Sequence, residues 1–156
     1  MAIAETVNSY LYRHHIPYEL MCHPRTYNCH ETAEAAHVSE DRIAKAVIVK
    51  DALGYAVVVI PANDWLGLSR LNEQLDRNFI LADESEIRDL FIDCDVGAIP
   101  PIGQAYGLET FLDEQLTSLS DVYFEAGDHE TLVHVNRGVF GSLFEGIKHG
   151  HFCHHV

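Results

Sequence analysis

Ala44-Lys45-Ala46-Val47-Ile48-Val49-Lys50 and Tyr55-Ala56-Val57-Val58-Val59-Ile60-Pro61, separated by Asp51 to Gly54, decide the fold. Two short runs of β-branched residues joined by a loop with Asp at one end and Gly at the other predict a hairpin. No other stretch of the chain carries so clear a local pattern.

Toward the N-terminus, Ile3, Val7, Tyr10, Leu11 and His14 recur at spacings of three and four. They predict an amphipathic helix over residues 2–15, ending before Pro17. A short strand is expected at Tyr18 to Cys22. After the His23-Pro24 turn, Glu31 to Ala36 is rich in helix formers, with Asn28 available as a cap. Toward the C-terminus, helices are expected at Ser69 to Asp76 and Asp83 to Leu90, each opened by a residue that can cap, with a strand at Phe79 to Leu81 between them. Strands at Thr110 to Asp113, Asp121 to Phe124 and Thr131 to Val135, then a helix from Arg137 to Phe144, complete the pattern. Helices and strands alternate irregularly, which predicts an α+β domain with a mixed sheet rather than a regular βαβ winding.

The chain has 156 residues, 47% of them hydrophobic and 22% charged, which fits one globular domain spanning 1–156. Its core is expected at about 3–145, with a His-rich tail at 147–156. No apolar run approaches the roughly 20 residues of a membrane span, and Met1 does not lead into a signal core, so a cytoplasmic protein with no membrane partner is expected. The four cysteines form no Cys-x-x-Cys pair and are read as reduced thiols.

The formal net charge is -14, which opposes unspecific binding to a phosphate backbone and gives no support to a DNA partner. That charge is uneven: residues 1–50 carry -1 and residues 51–156 carry -13. Any contact with phosphate is therefore expected on a surface made largely by the N-terminal third.

Three segments could carry chemistry. Lys45 opens an apolar strand, where its ammonium must reach water, a cleft or an anion. Gly97-Ala98-Ile99-Pro100-Pro101-Ile102-Gly103 is a stiff loop that can turn backbone groups toward a ligand. Phe124-Glu125-Ala126-Gly127-Asp128-His129 ends a strand in a Gly-Asp turn bearing a histidine able to carry a proton near neutral pH. Taken singly, each also reads as ordinary structure: an edge lysine, a connecting loop, a loop histidine.

Together, and in this order along nearly the whole chain, they resemble the family of YbaK and the prolyl-tRNA synthetase associated domain. The leading helix, His23-Pro24 before an Ala-rich helix, and Val59-Ile60-Pro61-Ala62 before the Leu66 to Leu75 segment agree with it. The resemblance implies an α+β fold with a mixed, barrel-like sheet flanked by helices. It also implies trans-editing: hydrolysis of the ester that joins a wrongly attached small amino acid, of the Ala, Cys, Ser or Pro type, to tRNA. On that basis Lys45 and His129 are the expected catalytic residues, and Gly97, Ile99, Pro100, Gly103, Gly127 and Asp128 the expected substrate-binding ones. No metal and no cofactor is expected. The expected partner is the acceptor end of a mischarged tRNA, and an aminoacyl-tRNA synthetase is a candidate second partner.

The loop departs from the family's usual single proline followed by Phe-Gly, and Ala46 stands where many members have threonine, so the amino acid is left open. The sequence also offers residues for two other chemistries. The tail from His149 to His155 holds residues that bind zinc, copper or nickel, but near a chain end such clusters are usually adventitious. Cys22, Cys29 or Cys94 could pair with a histidine as a nucleophile, a reading that adjacency of Cys29 and His30 does not support. A non-catalytic module of the same fold that binds tRNA or a synthetase is the main alternative function.

Overall fold

The computed structural model describes residues 3–155. Its elements in chain order are α1 (Glu5–Arg13), β1 (Glu19–Cys22), α2 (Cys29–Ala36), β2 (Ile43–Asp51), β3 (Gly54–Pro61), β4 (Asp64–Leu66), α3 (Leu68–Leu75), β5 (Ile80–Leu81), α4 (Glu84–Leu90), β6 (Glu109–Asp113), β7 (Asp121–Glu125), β8 (Thr131–Asn136), α5 (Arg137–Leu143), β9 (Lys148–Gly150) and β10 (Cys153–His155).

The hairpin is the centre of the sheet. β2 and β3 pair antiparallel from Ala44↔Pro61 to Asp51↔Gly54, and the main strand order is β1-β8-β7-β2-β3-β6-β9. β7 with β2, β3 with β6 and β6 with β9 are parallel, whereas β1 with β8 and β7 with β8 are antiparallel. This is the expected mixed sheet of an α+β fold. It is not the expected barrel: β1 and β9 lie at opposite ends of the order and do not meet. Closure requires the last strand to bond the first, and β9 spans only three residues.

The unbroken apolar run of β3 follows from burial on both faces. Val57 and Val59 enter one core with Leu11, Phe91, Phe124 and Phe140, while Val58 and Ile60 enter another with Leu71, Phe111 and Phe152. Side chains alternate along a strand, so a strand covered on both sides reads as continuous hydrophobicity. Each of these fully buried branched side chains stabilises the fold by about 1.5–3 kcal/mol.

Capping follows the sequence in two places and departs from it in one. Asn28 accepts the Glu31 N–H, and Asp83 forms a reciprocal capping box with Glu86. Ser69 does not cap α3; the capping position is Gly67, set by the adjacent β4 and by its own N–H donating to the Phe152 carbonyl at 2.8 Å. The C-terminal segment is not a loose tail: β9 joins the sheet edge, β10 pairs with β4, and Phe152 is fully buried. No helix among the described residues is long and apolar enough to cross a membrane.

Candidate active site

A cavity of about 660 Å³ opens where the sheet parts. β7 pairs with β2 only at Ile43 and Ala44, and β5 takes the same edge of β2 at Val49 and Lys50. Between them that edge has no partner strand among the described residues. Successive residues of an antiparallel strand turn their backbone groups to alternate sides. The Ile43 carbonyl accepts from Ala62 on the β3 side, and the Ile48 carbonyl accepts from Ala82 on the other. The intervening Ala46, which lines the cavity, therefore aims its N–H and C=O away from β3 and into the gap. A threonine side chain is not needed for this position to offer hydrogen bonds.

Lys45 and Glu125 stand one residue beyond the last β2–β7 pair, Ala44↔Phe124, and so lie opposite each other on the same face. Both line the cavity. The Lys45 ammonium donates to the Ala62 carbonyl at 3.1 Å and lies 5.6 Å from the ring centre of Trp65, an exposed side chain at the cavity wall. The Glu125 carboxyl turns the other way, toward α2, where its Oε1 accepts from the Thr32 hydroxyl at 3.0 Å. Its Oε2 is buried without a hydrogen-bond partner among the described residues. Burial pushes the Glu125 carboxyl up to about 8, with the Thr32 hydrogen bond opposing and Asp128 adding to the rise.

His23 stands behind Glu125, its Nε2 3.6 Å from Oε1. Its Nδ1 lies 2.8 Å from the Pro24 carbonyl, which can only accept, so Nδ1 carries a proton. Nε2 has no hydrogen-bond partner among the described residues. The floor thus gathers a carboxyl group and an imidazole edge in a buried place.

The other wall is the loop anticipated from its glycines and prolines. Gly97 and Ile99 line the cavity, while Ala98 and Pro100 turn inward and are buried. Gly97 has φ +89, and a Cβ there would sit 3.0 Å from His129 Cε1. Glycine is required by both the backbone angle and the space.

His129 does not line the cavity. It is buried beneath the loop, with Nε2 2.7 Å from the Val96 carbonyl, so this nitrogen donates and fixes the turn that presents Gly97. Gly127, at φ +119, ties down the same loop: its N–H donates to the Ala98 carbonyl at 2.9 Å and its carbonyl accepts from Asp95 at 2.8 Å. Asp128 accepts from the Glu130 N–H and the Thr131 hydroxyl, shaping the turn into β8. A Cβ on Gly103 would lie 2.5 Å from Thr110 Oγ1, which places this glycine in the packing of β3 and β6. Of the residues expected from sequence, then, Lys45, Gly97 and Ile99 meet at the cavity, Gly127 and His129 bond the loop that carries Gly97, and Pro100, Gly103 and Asp128 lie outside the lining.

Cys29 also lines the cavity, but burial pushes its thiol up to about 11, so the nucleophilic thiolate is scarce at neutral pH. Cys94 is pushed up to about 12, again chiefly by burial.

The aminoacyl-tRNA editing domain model matches residues 23–138, which hold β2 to β8 and every wall of this cavity. The chain belongs to the aminoacyl-tRNA editing domain family. No curated protein matches it. Among solved structures, the editing domain is similar to a hypothetical protein (24% identity, 96% of this chain and 100% of that one, TM-score 0.85). It is also similar to a proposed trans-editing enzyme for prolyl tRNA synthetase (20% identity, 96% and 95%, TM-score 0.82). A scaffold used for epitope backbone grafting has 18% identity over 97% and 96%, with a TM-score of 0.83. At these identities the likeness is one of fold.

Glu125, Trp65, Tyr27 and Asn63 are cavity residues not expected from sequence. A signal exists for Glu125: it is a lone carboxylate ending the otherwise apolar Val122-Tyr123-Phe124 run. Trp65 and Asn63 lie on or beside β4, whose strand character depends on pairing with β10.

Proposed function

We propose that this editing domain acts in trans as a deacylase, hydrolysing the ester of a mischarged tRNA that carries a small amino acid of the Ala, Cys, Ser or Pro type. The observation that carries the reading is the gap in the sheet edge, where the Ala46 backbone, the Lys45 ammonium and the Gly97 loop meet around one cavity. A space of about 660 Å³ suits an aminoacylated terminal nucleoside and excludes a duplex.

In this reading Lys45 holds the phosphate or ribose end of the acceptor strand by charge, and the exposed Trp65 face stacks the terminal base. Water adds to the ester carbonyl carbon. The Ala46 N–H stabilises the resulting oxyanion, and the loop from Gly97 to Ile99 keeps the acyl group in line. The intermediate collapses by expelling the ribose oxygen, which takes up a proton. Free amino acid and uncharged tRNA are the products. His129 serves by holding Val96 and Gly97 in place.

The N-terminal third supplies half of the cavity lining, including Lys45, in keeping with the uneven charge of the chain. Loss of labelled amino acid from tRNAs charged with alanine, cysteine, serine and proline, measured against spontaneous hydrolysis, tests the reading. Acceleration with at least one is expected. Specific tRNA binding with no acceleration would instead make the domain a non-catalytic module.

A further inference from the structure

We propose that Glu125 recognises the α-ammonium of the aminoacyl group, so that a free amino group is a requirement for occupying the cavity; this rests on the editing reading above. Three carboxylates line the cavity, and they differ in what they already hold. Glu40 bonds His30 at 3.0 Å, and Asp64 accepts from Gln115 at 3.0 Å and from the Cys153 thiol at 3.2 Å. Glu125 is 5% exposed, and its Oε2 has no hydrogen-bond partner among the described residues. A buried polar atom without a partner is costly, and a ligand group that satisfies it recovers that cost on binding.

The kind of ligand follows from the atoms. The Glu125 carboxylate accepts, and the Nε2 edge of His23 behind it has no hydrogen-bond partner among the described residues. Asn63, which also lines the cavity, buries an Oδ1 that lacks a partner among the described residues. Acceptors of this kind call for a donor-only cationic group, and an ammonium has three donors.

The placement fits an aminoacyl ester. Lys45 and Glu125 leave one residue beyond the last pair of adjacent strands, and their polar ends diverge, Lys45 to Ala62 and Trp65 and Glu125 to Thr32. The substrate has the same polarity, with phosphate on one side of the ester and the ammonium on the other. Burial pushes the carboxyl up to about 8, with Asp128 and Cys29 as the nearby acidic groups, Lys45 directed away and His23 alongside. An arriving ammonium supplies the counter-charge that favours its ionised form.

Two non-hydrolysable probes test this: adenosine carrying alanine through a 3′-amide, and the same molecule carrying propionate, which lacks only the amino group. Calorimetry on the wild-type chain is expected to show the alanyl probe binding at least about tenfold tighter, the range for a charge-assisted hydrogen bond. Glu125→Gln keeps the shape and is expected to bind both probes alike, while Lys45→Ala weakens both and keeps their ratio. Equal binding of the probes by wild type, binding of neither, or an undiminished preference in Glu125→Gln would overturn the proposal. Absence of ester hydrolysis together with the expected preference would remove the deacylase reading and leave ammonium recognition standing.

Discussion

Lys45 and Glu125 occupy opposed positions on two parallel strands, yet among the described ion pairs they are not joined to each other. Opposite charges placed across a strand pair would normally be expected to meet. Here the lysine is drawn to a carbonyl and an indole face, and the carboxyl to a threonine and a histidine. The space left between them is the cavity.

Replacing Lys45 removes charge from the wall and little from the packing. Lys45→Ala is expected to lower turnover by about 30- to 1000-fold, corresponding to about 2–4 kcal/mol of transition-state stabilisation. Its melting temperature should stay within a few degrees of wild type. Near-normal turnover would take Lys45 out of the mechanism.

The His129 hydrogen bond to Val96 makes His129 a positioning residue. His129→Ala leaves the Val96 carbonyl without its donor and opens space under Gly97, at a cost to stability of about 1–3 kcal/mol. A fall in turnover should accompany faster amide exchange over residues 95–98. Gly97→Ala is expected to act in the same direction, because it adds a Cβ at φ +89 against the His129 ring. Unchanged exchange in both variants would contradict the positioning role.

Trp65 is 61% exposed, so its removal should spare the fold. Trp65→Ala is expected to weaken tRNA binding by about 1–3 kcal/mol, the range for base stacking on an aromatic ring. A filter-binding titration at fixed salt reads this directly, and an unchanged dissociation constant would exclude Trp65 as the base platform.

Glu125 links stability to pH. Its folded-state value, about 8, lies above the ordinary 4.5, so the folded chain binds this proton more tightly than the unfolded chain. The contribution is complete below about pH 4.5 and is lost as pH rises through 8, with a slope of up to about 1.4 kcal/mol per pH unit between them. Urea unfolding of Glu125→Gln should therefore show a flatter decline than wild type from pH 5 to 8. Parallel curves would show that Glu125 ionises normally.

How far the chain explains its own fold depends on the range of the interaction. The hairpin was legible because β3 is buried on both faces, and the Asn28 and Asp83 caps because they act within three residues. The C-terminal strands were not. Lys148-His149-Gly150 has no strand pattern of its own, and it is held by pairing with β6. Phe152 and Cys153 are fastened from afar: Asp113 Oδ2 accepts from the Phe152 N–H at 2.9 Å and from the Cys153 thiol at 3.1 Å. The site divides in the same way. Lys45 and the Gly97 loop announce themselves locally, whereas the unpaired edge at Ala46 exists only because β7 and β5 take neighbouring parts of one strand.

Rate constants for ester loss from alanyl-, cysteinyl-, seryl- and prolyl-tRNA, each taken without protein, with the wild-type chain and with Lys45→Ala in the same run, test editing by this domain most directly. Acceleration by wild type on at least one of these tRNAs, largely abolished in the variant, is the expected result. Rates that match spontaneous hydrolysis on all four, or acceleration that survives the loss of Lys45, would contradict hydrolysis at this cavity.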